Sequence, residues 1–75
     1  MNTSKFIRII RQYGALQAHV DKPLYEPIEA LSLAYFDSAL AEGQDSQTVA
    51  AEINGILARE VRRYPVDFVP PAPSQ

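Results

Sequence analysis

The sequence has no cysteine, which removes disulfide frameworks, thiol nucleophiles and cysteine-type zinc sites and fits a reducing compartment. It has a single histidine, His19, and no acid stands three or four residues from it, so no metal-ligand spacing is present. The three glycines are isolated from one another, which excludes a glycine-rich loop that could cradle a phosphate. The serines carry no nucleophile-elbow or base motif around them. No apolar run approaches the ~18 residues that would span a bilayer. The opening "MNTSKFIRIIRQYG" is interrupted by Arg8 and Arg11, unlike the core of a signal peptide. These absences predict a cytoplasmic, non-enzymatic protein with no cofactor and no metal.

What is present is enough for one domain. The chain has 75 residues, of which 47% are apolar, a share typical of a folded domain and not of a disordered chain. So short a chain leaves much of its surface exposed, and apolar surplus therefore points to burial against a partner. The formal net charge of −2 is unevenly spread. Residues 1–20 carry Lys5, Arg8 and Arg11 and no acid, residues 21–45 carry six acids against Lys22, and the remainder is balanced. A basic face and an acidic middle suit docking onto a charged macromolecule or onto a second copy.

No segment alternates apolar and polar residues as a half-buried strand would, whereas three segments repeat at the helical period. The first, predicted over 4–20 with Thr3 or Ser4 as cap, places Phe6, Ile9, Ile10, Tyr13, Leu16 and Val20 on one stripe, with Gly14 a weak point. Pro23 stops it, and Pro27 reads as the first residue of the second helix, 27–42. That helix is apolar nearly all round: Ile28, Leu31, Tyr35 and Ala39 form one line, Leu33, Phe36 and Leu40 widen it, and Asp37 and Ser38 alone mark solvent clearly. Gly43 supplies its stop. Asp45 or Ser46 opens the third helix, 46–64, with Val49, Ile53, Ile56, Leu57, Val61 and Tyr64 on one stripe and Pro65 at its end. The predicted fold is all-α: three antiparallel helices over residues 1–65 and an extended proline-rich tail over 66–75, in which Val66, Phe68 and Val69 can pack back.

Segment 47–64, "QTVAAEINGILAREVRRY", resembles a helix-turn-helix in outline. Ala51 takes the small-residue position, Gly55 the turn, and Val61 and Tyr64 the core positions of a second helix. The resemblance implies that Arg59, Arg62 and Arg63 face the major groove or phosphates. Against it, Asn54 stands where an apolar residue belongs. The apolar stripe also passes through Asn54-Gly55 without the phase slip that a turn introduces, so the prediction is one continuous helix. Arg8 and Arg11 are the other cations that a nucleic-acid surface could recruit. Glu60 falls within the apolar stripe and therefore requires a partner, with Lys5, Arg8 or a tyrosine hydroxyl as candidates.

The functional expectation is a small interaction module, such as an adaptor, inhibitor or accessory regulator of phage- or plasmid-type proportions. It binds a protein partner, with a homodimer favoured, through Leu33, Phe36, Asp37 and Leu40 of the second helix. Replacing Phe36 or Leu40 by Asp is expected to give a folded monomer. The alternative is a nucleic-acid-binding regulator using segment 47–64.

Overall fold

The computed structural model describes residues 1–22, 24–62, 64 and 67–71. Three α-helices follow one another, α1 (Thr3–Gln17), α2 (Tyr25–Ala41) and α3 (Ser46–Glu60), and each packs against both others. The described residues after Val61 are not helical, in line with an extended tail over 67–71. Pro23, Arg63, Pro65, Val66 and residues 72–75, with the readings attached to them, lie outside the described residues.

Local chemistry sets most helix ends. The side chain of Asn2, not Thr3 or Ser4, caps α1 by accepting from the Lys5 N–H at 2.8 Å. The predicted continuation of α1 to residue 20 does not occur. Beyond Gln17 the chain passes into turns in which the His19 N–H donates to the Leu16 carbonyl. Leu16, predicted to be in the core, is accordingly 50% exposed, and Val20 is exposed as well. The Gln17 carboxamide then gathers the connection, accepting from the Leu24 N–H at 2.7 Å and donating to the Lys22 carbonyl. Helix α2 begins two positions before Pro27, which occupies the first turn, where its missing N–H has no intrahelical role. At the other end Gly43, with φ +91°, makes the expected stop. Its N–H reaches the Leu40 carbonyl while the Gln44 N–H reaches that of Ala39, the paired bonds of a Schellman ending. Asp45 caps α3 as expected, accepting from both the N–H and the hydroxyl of Thr48.

Helix α3 is unbroken through Asn54 and Gly55, so no helix-turn-helix divides it. It ends at Glu60 and not at Tyr64. Val61 is extended (φ −118°, ψ 102°), which keeps its side chain in the core while the chain turns back along α2. Tyr64 there meets Tyr25 edge to face, with ring centroids 5.6 Å apart. Tertiary packing of the returning chain outweighs the helical period that the sequence continues past Glu60.

The three helices converge on Tyr35. Its ring stacks on Phe6 at 4.4 Å between centroids, and its hydroxyl is hydrogen-bonded to Thr3 Oγ1 at 2.7 Å and donates to the Glu52 carboxylate. One phenol therefore links α1, α2 and α3. Burial raises its pKa, and the Glu52 carboxylate beside it adds to the rise. Thr3 meets late α2 while Gln17 meets its beginning, so α1 and α2 run antiparallel as predicted. Phe6, Ile10, Ile28, Tyr35, Ala39, Val49, Ile53, Ile56, Leu57 and Val61 are buried as predicted, and Tyr13, Leu31 and Tyr64 are partly buried. The core also takes in Phe36, Ala50, Phe68 and Ser32, whose hydroxyl donates to the Ile28 carbonyl at 2.8 Å.

Gly14 is a contact point and not merely a weak turn. A Cβ there would lie 2.1 Å from the Glu60 backbone oxygen, so α1 and the end of α3 approach to a distance that only glycine permits. Gly55 has open space around it. Gly14→Ala is expected to destabilise the fold by about 1–3 kcal/mol through overpacking, whereas Gly55→Ala should stabilise it by about 0.5–1 kcal/mol. Urea denaturation of the two variants checks this, and a destabilised Gly55→Ala or an unaffected Gly14→Ala would contradict it.

Candidate interaction surface

Helix α2 has apolar residues on every side, and two neighbouring helices cannot cover all of them. The structure covers one further side with the chain's own tail. Phe68 is buried against Phe36, with ring centroids 5.5 Å apart, and Phe36 is only 3% exposed. The expectation that Phe36 faces a partner is therefore corrected: its ring lies inside, and Phe36→Asp would place a carboxylate in the core instead of yielding a folded monomer. Holding the tail in place is Asn54. Its Oδ1 accepts from the Phe68 N–H at 2.7 Å and its Nδ2 donates to the Phe68 carbonyl at 3.0 Å. A polar residue at the rim of an apolar stripe thus supplies one donor and one acceptor to an extended backbone that has no strand to pair with.

The other predicted contact residues of α2 remain at the surface in varying degree. Leu40 is 36% exposed, Leu33 is half-buried and Asp37 is exposed. Ala30, Ala34 and Ala41, also exposed, fall at helical spacing among them. The resulting face is shallow, and Asp37 is its central charge. Alongside it a groove of about 220 Å³ opens between α2 and the tail, with Ser32, Leu33, Leu57, Phe68 and Val69 as walls and Glu29, Tyr64 and Asp67 around them. Burial raises the Tyr64 pKa, and the Glu29 carboxylate adds to it.

The arginines do not form a single cationic face. Glu60, the acid in the α3 stripe, finds its partner in Arg11, which donates through Nε and Nη2 at 3.0 and 3.1 Å in a two-pronged bond. Arg59 adds a third contact at 3.3 Å. The partner is thus neither Lys5, Arg8 nor a tyrosine, because the Gly14 contact brings α1 against the end of α3 opposite Arg11. The Glu60 side chain is 12% exposed, and the Arg11 hydrogen bonds hold its pKa down to about 2 against the opposing effect of burial. Arg8 and Arg62 are exposed, and Arg63 lies outside the described residues. His19 is exposed, and among the described residues no three His, Asp or Glu side chains are placed to hold a metal ion. No helix among them is long and apolar enough to cross a membrane.

Because the Glu60 carboxyl titrates lower folded than unfolded, its contribution is complete above its ordinary value near 4.5 and lost as pH falls towards 2. Asp45, held down by Thr48, contributes in the same direction. Thermal unfolding followed from pH 6 to about pH 2 should show Glu60→Gln and Arg11→Ala with a flatter decline than the wild type. Added salt should narrow the difference, since Arg11 is largely exposed. Parallel curves for the three proteins would contradict the pairing.

Comparison with known protein families, with curated proteins and with solved structures finds no match to this chain.

Proposed function

We propose that this protein is a small non-catalytic interaction module whose working surface is the outer face of α2, and that its first partner is a second copy of itself. The observation that carries the reading is the exposure of Leu40 beside half-buried Leu33 on the side of α2 that α1, α3 and the tail leave open. The exposed Ala30, Ala34 and Ala41 to one side of them allow another helix to approach closely, as helix–helix contacts with small residues do. Glu26, Glu29, Asp37 and Glu42 lie along the same helix and its end, so a contacting surface that supplies cations is favoured. The exposed Lys5 and Arg8 of α1 offer such cations on a second copy.

The alternative, a nucleic-acid-binding regulator, has less to stand on. Arg11 and Arg59 are directed to Glu60, and the segment that resembled a helix-turn-helix has no turn between Ser46 and Glu60.

Sedimentation equilibrium at high micromolar concentration tests the proposal. The wild type should sediment as a dimer, and Leu40→Asp as a monomer with an unchanged far-ultraviolet circular dichroism spectrum. A monomeric wild type would remove self-association from the account.

A further inference from the structure

The tail contact shows what kind of ligand the groove between α2 and α3 accepts. Asn54 bonds to both backbone groups of Phe68, so it recognises an extended main chain whatever side chain that residue carries. The aromatic ring beside it is seated on Phe36 and is 8% exposed, while the next residue, Val69, is 76% exposed. One anchor side chain and one carboxamide thus make up the described hold on this segment. Beside that seat an opening of about 220 Å³ remains, lined by Ser32, Leu33, Leu57 and Tyr64 and by the tail residues Asp67, Phe68 and Val69. The rim is acidic, because Glu29 of α2 and Asp67 of the tail both line that opening.

We propose that this groove is a recognition site for an extended segment of a partner protein that carries an aromatic anchor and a neighbouring basic residue, and that residues 67–69 occupy it in cis. The anchor takes the Phe68 seat and its backbone pairs with Asn54. The basic residue faces Glu29, where the chain's own tail presents Asp67. This is peptide addition to a groove, with main-chain hydrogen bonds for affinity and one side-chain seat for selectivity. The tail competes at the effective concentration of a short tether, on the order of millimolar, so a partner segment must bind better than the tail does. Leu33 belongs both to this opening and to the Leu40 contact, so the titration that tests the site is also run with Leu40→Asp added, where peptide binding is expected to persist whether or not the chain self-associates.

The test is a nuclear magnetic resonance titration of the full-length Phe68→Ala variant with a synthetic peptide, YPVDFVPP, copied from residues 64–71. Saturable shifts are expected at the Asn54 side-chain amide and at Ser32, Leu33 and Leu57. The peptide with Ala in place of its Phe should bind at least about tenfold more weakly, as should the original peptide to the wild-type chain, whose tail competes. The peptide YPVKFVPP should bind several-fold more tightly than the original. Absence of saturable shifts, or binding indifferent to the peptide's Phe, overturns the site; equal or weaker binding of the Lys peptide overturns the basic partner. If Phe68→Ala does not hold its fold, the wild-type chain with excess spin-labelled peptide decides. With peptide raised above the effective concentration of the tether, broadening confined to Asn54 and its neighbours supports the site, and its absence there overturns it.

Discussion

Helix α2 carries more apolar surface than two neighbouring helices can cover, and that constraint organises the rest of the structure. Helices α1 and α3 meet it through Phe6, Ile10, Ile53 and Leu57, and Tyr35 hydrogen-bonds to both. A further side, centred on Phe36, needs something that three helices cannot provide. The tail provides it with one aromatic ring, and Asn54 makes that possible by pairing with the backbone of Phe68. Without the carboxamide, an extended segment laid over an apolar groove would leave an amide and a carbonyl short of partners, each lost bond costing about 1–3 kcal/mol if buried. The proline-rich end is therefore part of the fold at residue 68, and α3 stops at Glu60 so that the chain can return to that position.

A second constraint lies at the opposite contact. Gly14 lets α1 touch the last carbonyl of α3, and that approach sets Arg11 against Glu60. Three charges that a sequence reader would distribute over two surfaces then collapse into one ion-pair cluster. Arg11 and Arg59 are paired with a carboxylate although their side chains stay largely exposed, and Glu26, Glu29 and Asp37 of α2 are open to solvent. The proposed protein recognition rests on the Leu33–Leu40 face and on the opening beside it that the tail helps to line.

Much of this was legible in the sequence. Periodicity gave three helices, and Asp45 and Gly43 marked two of their ends, because caps and positive-φ turns depend on neighbours in the chain. The unbroken stripe through Asn54-Gly55 correctly favoured one helix over two. Features that depend on contacts distant in sequence were not legible. Leu16 keeps the helical phase of the core yet is half exposed, and α1 ends soon after it. Phe36 widens the apolar line of α2 and is expected from the sequence to face a partner, yet it lies under Phe68, because the covering element comes from a tail whose composition reads as loose. Asn54 did carry a signal, as a polar residue at the edge of an apolar stripe, and so did Glu60, which visibly required a partner. In both cases the residue announced a need, and only the tertiary arrangement names what meets it.

The central claim is that the tail belongs to the fold through Asn54 and Phe68 acting together. A double-mutant cycle in urea denaturation tests it most directly, with Asn54→Ala, Phe68→Ala and the two combined. If docking needs both groups, removing the ring frees the segment, and the carboxamide then has nothing left to hold. The account predicts a coupling energy of about 1 kcal/mol or more, with the double variant close in stability to Phe68→Ala alone. Losses that simply add would mean that Asn54 and Phe68 act independently, and would contradict it.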